Sequence, residues 1–289
     1  MNTVAAEERC RLCHSERVFV LSHNLLRCQD CQFLFLDQAT LAEQQASYHA
    51  QSEQGVDADL LVRLKNKYPK DHHDKRALYV RIAKRVLGWY GETVRVLDVG
   101  ASGGFFLHAV EAAGAMAANL ETNEVSPTYV QLTSDYFGYD GGVGNIERYA
   151  PGKKYDLVTM FDVLEHVDDF EAALLNIHGL LRPGGRLLLK LPNGNFAYLK
   201  YRLAHLFGRA RQIPLYLHLR PGGHLNYWNK SNIARIEGER FMIDSFEYVL
   251  PTKEQFGNKA LLRSFFHWLD GLLGANLFPE MIVVLKKID

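Results

Sequence analysis

All four cysteines of this 289-residue chain lie within its first 31 residues, as two C-x2-C pairs separated by 14 residues. Each pair can place two thiolates on one ion through a tight turn, and four thiolates complete the tetrahedral site that zinc prefers. Two disulfide bonds or four unrelated thiols are the alternative, and a reducing cytoplasm disfavours disulfides. The pattern predicts a structural zinc, because four protein ligands leave no position for water. The predicted metal ligands are Cys10, Cys13, Cys28 and Cys31.

Short apolar segments accompany the cysteine pairs. Residues 17–21 and 32–36 are rich in Val, Leu and Phe and read as short strands. With the cysteines they predict a small zinc ribbon over residues 1–40. The polar, glutamine-rich residues that follow predict a linker or loosely packed helix over 41–73, and apolar residues at helical spacing predict a helix over 74–87.

A glycine-rich turn at residues 98–104 follows a buried apolar run and is a second candidate for chemistry. Gly100 and Gly104 permit a tight turn and close approach of a ligand to the backbone. The turn matches neither the dinucleotide-binding G-x-G-x-x-G nor the phosphate-binding P-loop, and a purely structural turn is the alternative. Glu121 ends the next predicted strand, where a carboxylate can accept both hydroxyls of a ribose. Glu124 competes for that role but fits the spacing less well.

Strands and helices alternate around this turn, which predicts βαβ units and a parallel sheet covered on both faces. In such folds ligands bind at the carboxyl ends of the strands. We predict strands over 94–99, 116–121, 155–161 and 186–191, helices over 105–113, 127–137 and 169–181, and two antiparallel edge strands over 244–250 and 281–287.

Five segments in this region, taken in order, resemble the class I S-adenosylmethionine (SAM) dependent methyltransferases. They are VRVLDVGASGGFFL (94–107), NLETN (119–123), GNIE (144–147), YDLVTMFDVLEHV (155–167) and LLRPGGRLLLKLPN (180–193). The resemblance implies an α/β, Rossmann-like, seven-stranded sheet, mostly parallel with an antiparallel edge strand, beside the N-terminal ribbon. It places this domain over residues 74–289, with a lid insertion at about 195–222.

The resemblance also implies SAM as cofactor and a role for each matching residue. The glycine-rich turn would hold the methionine part of SAM, the acid after it the ribose, and the GNIE segment the adenine. Ser102 departs from the family, which often has glycine there. The implied cofactor-binding residues are Asp98, Gly100, Ser102, Gly104, Glu121, Asn145, Ile146 and Phe161.

Glu165 and His166 lie just past the strand that ends at Phe161, near the expected methyl group. Methylation of a hydroxyl or a carbon acid requires removal of a proton, which suits a histidine titrating near neutrality. We therefore predict His166 as the base and Glu165 as its partner. A purely structural role is one alternative. A divalent cation bound by Asp162, Glu165 and His166 is another, as in some quinone O-methyltransferases.

The C-terminal third contains a second histidine and an uneven charge distribution. His224 resembles a family histidine that faces the acceptor, and is a second candidate base; the alternative is a loop cap. Residues 172–236 contain ten Lys or Arg and no acid. A basic lid would attract an anionic acceptor such as a carboxylate, a phosphate or a nucleotide-linked sugar. The alternatives are a solvated face balanced by acids elsewhere and a membrane-surface helix.

These features predict a SAM-dependent methyltransferase acting by O- or C-methylation on a small, anionic acceptor of the sugar, quinone or natural-product type. The ribbon and the Glu165–His166 pair resemble the sugar C-methyltransferases, although those enzymes carry a further C-terminal domain. The alternatives are a zinc-ribbon binding module on an inactive SAM fold, and an RNA or protein methyltransferase.

Composition narrows the choice of partners and compartment. The 33 basic and 33 acidic residues cancel, which argues against DNA as a partner. The chain has no run of 18 apolar residues, so we expect no membrane span. Its N-terminus lacks the apolar region of a secretory signal, and the expected compartment is the cytoplasm.

Overall fold

A computed structural model describes residues 8–22, 24–43, 46, 55–206, 223–236, 238, 240–249 and 278–289. The N-terminal residues form a small antiparallel sheet of four strands in the order β1-β2-β3-β9. These are β1 (Val18–Ser22), β2 (Leu25–Cys28), β3 (Leu34–Leu36) and β9 (Asn226–Tyr227). Strand β9 comes from the C-terminal third of the chain, so a contact between distant segments completes the ribbon.

The larger sheet has seven strands. They are β4 (Val96–Val99), β5 (Leu120–Glu124), β6 (Asp140–Val143), β7 (Tyr155–Phe161), β8 (Leu181–Pro192), β10 (Phe241–Val249) and β11 (Glu280–Lys287). Their order is β10-β11-β8-β7-β4-β5-β6. Strands β4 to β8 pair in parallel, and β11 runs antiparallel to both of its neighbours, β8 and β10. The predicted sheet, with its antiparallel pairing at one edge, is confirmed.

Six helices with described bounds connect or flank the strands. They are α1 (Ala58–Tyr90), α2 (Phe105–Ala112), α3 (Pro127–Phe137), α4 (Phe170–Leu180), α5 (Gly194–Leu206) and α6 (Lys230–Ile233). Residues 38–43 are also helical. Helix α1 extends far beyond the predicted 74–87, because the Asp57 side chain caps its first turn by accepting from the Leu60 amide. Of the two alternatives predicted for 41–73, a linker or a helix, residues 58–73 take the helical one, while residues 44–45 and 47–54 lie outside the described part.

One apolar core joins the ribbon to the large sheet. Three of the cysteines are buried in the same cluster as Trp228 and the sheet strands β4, β7, β8 and β11. The ring of Phe33 in the ribbon lies 4.9 Å from that of Trp228 and 6.0 Å from that of Phe170 in α4. The predicted boundary at residue 40 therefore divides the chain into two segments, but both segments contribute to the same hydrophobic core.

The predicted lid insertion is described only up to residue 206 and from residue 223. Its first part, α5, packs on the ribbon: the Tyr201 hydroxyl donates to the Leu21 carbonyl at 2.7 Å, and the Arg27 guanidinium lies 3.9 Å from the Tyr198 ring. Residues 207–222 are outside the described part. Within the described residues, no helix combines the length and the apolar character needed to cross a bilayer.

Candidate functional site

A cavity of about 800 Å³ opens at the carboxyl ends of the parallel strands. Its walls come from the turn after β4, the end of β5, the loop after β6 and the segment after β7. Strand order reverses at β4, between β5 and β7, and such a switch point is where open α/β sheets bind ligands. The volume is that of a site for a cofactor-sized molecule.

The turn after β4 contributes backbone to the cavity wall. Gly100 has φ +67°, and a Cβ there would lie 2.3 Å from Cγ2 of Val163, so only glycine fits. Ser102 also adopts a left-handed conformation, with φ +51°, which is uncommon outside glycine. The residue is held there because its amide donates to Oε1 of Glu124 at 2.5 Å. This explains how serine stands where the family resemblance expects glycine.

Glu124 is the acid that the structure brings to the cavity. It ends β5, is buried, and lines the wall beside Ser102. Glu121 does not line the cavity: its carboxylate accepts from Nζ of Lys153 at 3.0 Å and from the Tyr155 hydroxyl at 3.1 Å. The structure thus places Glu124 in the cavity wall where Glu121 was predicted, because the strand runs three residues further than expected.

A sequence signal for this strand end was present. Ser126 precedes α3 and Pro127 is its first residue, the usual order at a helix start. The strand must therefore end before Ser126, which leaves room for it to extend to Glu124 but does not choose between Glu121 and Glu124.

The other predicted cofactor residues fall into two groups. Asn145 and Ile146 line the cavity, as do Gly100 and Ser102. Three do not line the cavity and belong to the strands and the turn that form its wall: Asp98, Gly104 and Phe161. Asp98 accepts from the Thr159 hydroxyl at 2.5 Å, Gly104 precedes α2 with φ +71°, and Phe161 packs 4.7 Å from the Phe106 ring. These residues shape the turn and the strand end.

The three predicted catalytic residues lie close to one another, but only His166 lines the cavity. His166 lines its wall, and its ring centre lies 5.0 Å from that of His224. Nε2 of His224 lies 4.0 Å from Oε1 of Glu165. Chain segments almost sixty residues apart are joined here, because the Leu225 amide donates to the Glu165 carbonyl at 2.8 Å.

His166 has the protonation state of a base. Its Nδ1 lies 3.0 Å from the carbonyl oxygen of Gly223, and since a carbonyl can only accept, Nδ1 carries the proton. The other nitrogen, Nε2, is therefore the basic one in the neutral ring. Burial lowers the pKa of His166 below its usual value, which keeps the ring neutral at pH 7.

Glu165 is fully buried, and neither carboxyl oxygen has a hydrogen-bond partner among the described residues. Burial, reinforced by the nearby charge of Asp162, raises the pKa of Glu165 well above its usual value. Burial thus disfavours the charged form of this carboxyl group, and Nδ1 of His166 is bound by the Gly223 carbonyl rather than by Glu165.

The cation site predicted from Asp162, Glu165 and His166 does not assemble. Both carboxylate oxygens of Asp162 accept from Nζ of Lys190, at 2.7 and 3.0 Å. Glu165 and His166 have His224 as their third neighbour, with ligand atoms within 4.8 Å of one another. One carboxyl group and two imidazoles are not the oxygen-rich set that Mg²⁺ or Ca²⁺ requires.

The four cysteines converge as the spacing predicts, with their sulfur atoms within 4.8 Å of one another. The Sγ atoms of Cys10 and Cys31 are 3.5 Å apart, and those of Cys13 and Cys28 are 3.6 Å apart. These distances are far too long for disulfide bonds, which measure about 2.05 Å. They are close to the separation of two sulfurs that share one tetrahedral ion at about 2.3 Å.

The charges around the cavity differ from the expectation of a basic lid. Its wall includes five carboxyl groups and one arginine: Glu124, Glu147, Asp162, Asp168, Asp169 and Arg148. Three cations of the basic stretch are paired elsewhere: Arg182 with Asp156, Arg186 with Asp244, and Lys190 with Asp162. These three cations of the stretch are therefore balanced by acids from other parts of the chain.

Comparison with known proteins agrees with the observed fold. A family model described as a methyltransferase domain matches residues 66–239. Ubiquinone biosynthesis O-methyltransferase of Bordetella bronchiseptica is 32% identical over 123 residues, which is 38% of this chain and 49% of that protein. The protein of the same name from Pseudomonas paraeruginosa is 29% identical over 140 residues, 44% of this chain and 55% of its own length. The chain thus spans about half the length of these curated relatives.

Two solved structures share the fold at low sequence identity. A SAM-dependent methyltransferase from Archaeoglobus fulgidus has a TM-score of 0.53 at 16% identity, covering 80% of this chain and all of that one. The N-methyltransferase NodS from Bradyrhizobium japonicum, in complex with S-adenosyl-L-homocysteine, has a TM-score of 0.51 at 13% identity, covering 85% and 99%.

Proposed function

Because the chain belongs to the class I SAM-dependent methyltransferases, we propose that it transfers a methyl group from SAM to a hydroxyl or an acidic carbon of a small molecule. The observation that carries the proposal is the pairing of Glu124 and His166 in one cavity. The first residue is a buried acid at the end of β5, and the second is a neutral histidine with an available basic nitrogen.

The residues of the cavity suit SAM, which supplies an electrophilic methyl group when bound. Glu124 would accept hydrogen bonds from the two ribose hydroxyls, while the backbone of Gly100 and Ser102 would hold the methionine part. Asn145 and Ile146 would flank the adenine. The carboxyl groups on the wall also favour a cofactor that carries a positive sulfonium.

The affinity for S-adenosylhomocysteine should rise with pH. Burial raises the pKa of Glu124 to about 7. Below that pH the protonated acid has no charge and one of its oxygens carries a donor, so it accepts from the Ser102 amide and two hydroxyls less well than the carboxylate does above that pH. We expect the affinity to fall roughly tenfold from pH 8 to pH 6, measured by calorimetric titration. A flat profile in Glu124→Gln is the control, and a flat profile in the wild-type protein would contradict this role.

His166 is the proposed base. Its Nε2 would accept the proton of the acceptor's hydroxyl or carbon acid, and the imidazolium would then release that proton to solvent. SAM would supply the methyl group by breaking its bond to sulfur and would leave as S-adenosylhomocysteine. The His166 pKa lies below its usual value, so the base is ready at pH 7 and is lost only on acidification below about pH 6.5. His224, whose ring centre lies 5.0 Å from that of His166, is proposed to face the acceptor.

His166→Asn should lower the rate of methyl transfer by about 100-fold or more and leave S-adenosylhomocysteine affinity within about twofold of the wild type. Asparagine retains a polar side chain but cannot accept the proton. The measurements are transfer of a radiolabelled methyl group and calorimetry. His178→Asn is the matched control, because His178 lies at the far end of α4 and bonds the Ile288 carbonyl. An unchanged rate in His166→Asn would reject the base assignment.

We also propose that the four cysteines hold one structural zinc. The support is their convergence and the absence of an open ligand position. The metal would stabilise the ribbon, and the chemistry of methyl transfer would remain with the cavity residues.

The acceptor itself is proposed only by class. The described wall of the cavity, with five carboxyl groups and one arginine, does not favour an anion, and Arg209, Arg211 and Arg220 of the basic stretch lie outside the described part of the chain. A screen with radiolabelled SAM should therefore include neutral phenols and sugars as well as carboxylates and phosphates. Binding of S-adenosylhomocysteine with transfer to one of these supports the proposal. No binding to folded protein would favour the alternative of a binding module on an inactive fold, and transfer only to RNA or protein would favour the macromolecular alternative.

A further inference from the structure

The ribbon is in direct contact with both segments that carry the candidate histidines. Strand β3 pairs with β9, and the Leu36 amide donates to the Leu225 carbonyl at 3.0 Å. The Asn232 side-chain amide donates to the Cys31 carbonyl at 2.5 Å. The segment that follows His224 is therefore bonded directly to the ribbon.

The two histidine segments are in turn joined to each other by three hydrogen bonds. The His166 Nδ1 donates to Gly223, the Leu225 amide donates to Glu165, and the buried Asn226 amide donates to the Val167 carbonyl at 2.8 Å. The orientation of the His166 ring thus depends on where residues 223–226 lie.

The Arg11 side chain bonds the ribbon to both histidine segments. It lies within the first cysteine pair and is only 19% exposed. One nitrogen bonds the Asp168 carboxylate at 2.5 Å and also the Asp168 carbonyl, while the other bonds Oδ1 of Asn226 at 3.1 Å. The forked guanidinium can satisfy both segments at once, which a single ammonium cannot.

We infer that Arg11 is a positioning residue for His166: it couples the zinc ribbon to the base without lining the cavity. This inference rests on the proposed function of His166. Arg11 fixes Asp168 and Asn226 relative to each other, Asn226 fixes Val167, and the Gly223 carbonyl then selects the ring tautomer that leaves Nε2 basic. A small displacement of a catalytic group lowers rate far more than it lowers stability.

The test is the nitrogen-15 NMR signature of the His166 ring at pH 8, where the ring is neutral, assigned with His166→Asn. The wild-type protein should show one tautomer, with a proton on Nδ1. Arg11→Ala should show an average of both tautomers, and Arg11→Lys an intermediate signature, because lysine retains the pair with Asp168 but loses Asn226. Zinc content by mass spectrometry and affinity for S-adenosylhomocysteine should stay within about twofold of the wild type in all three proteins.

Arg9→Ala is the matched control. Arg9 lies in the same loop, is 69% exposed and pairs only with Glu16 among the described residues, at 2.6 Å. A wild-type signature in Arg11→Ala with zinc retained would overturn the inference, as would an equal change in Arg9→Ala. If Arg11→Ala loses its zinc, Arg11→Lys decides, and a wild-type signature there would also overturn it. Binding of S-adenosylhomocysteine by the wild-type protein tests the proposed cofactor separately, so failure of that proposal is distinguishable.

Discussion

Replacing Glu124 by glutamine is expected to weaken the binding of S-adenosylhomocysteine by roughly 30- to 100-fold. The carboxylate is buried, and its hydrogen bonds to two ribose hydroxyls would be charge-assisted, each with a value of about 1.5 kcal/mol or more. Glutamine keeps the shape but presents one acceptor oxygen and no charge. Weakening both hydrogen bonds costs about 2–3 kcal/mol of binding free energy, which corresponds to a loss of affinity of roughly 30- to 100-fold. Calorimetric titration at pH 8 measures it.

Glu121→Gln is the matched control, since it changes an acid three residues earlier in the same strand. Its carboxylate is bound by Lys153 and Tyr155 outside the cavity, so affinity should change by less than about threefold. The reverse outcome, with a large loss of affinity in Glu121→Gln and none in Glu124→Gln, would show that Glu121 binds the ribose, as its spacing in the sequence predicted.

Cys31→Ser is expected to release the metal and to lower the melting temperature by about 10 °C or more. Structural zinc sites contribute many kcal/mol to folding, and a loss of about 4 kcal/mol corresponds to this shift in a chain of this size. Cys31 belongs to the same buried cluster as the large sheet, so the destabilisation should extend to the whole cooperative unit. Elemental analysis and thermal melts followed by circular dichroism measure both effects.

His14→Asn is the control for this variant. His14 follows Cys13 directly, is 72% exposed, and has a positive φ that asparagine tolerates. It should retain one zinc per chain and a wild-type melting temperature. Purified wild-type protein without zinc and with an unaltered melt in Cys31→Ser would show that the thiols serve another purpose.

The sequence predicted the parallel sheet because alternation of apolar strands and amphipathic helices is a local pattern. Strand β7 and helix α3 were predicted at their observed bounds. The predicted bounds of β5, 116–121, lay too far towards the N-terminus, because the polar residues Glu121, Thr122 and Asn123 do not have the pattern of a buried strand. They are nonetheless part of it because each pairs with β4 and β6 on either side.

Local spacing by itself determined the cysteine cluster, the glycine-rich turn and the histidine that follows β7. Each of these depends on residues close together in the chain, whose geometry is limited by turns and strand ends. Only the tertiary structure decided that Glu124 rather than Glu121 reaches the cavity. It also decided that Lys190 removes Asp162 from any cation site, and that β9 completes the ribbon. These outcomes depend on contacts between distant segments, which spacing along the chain does not encode.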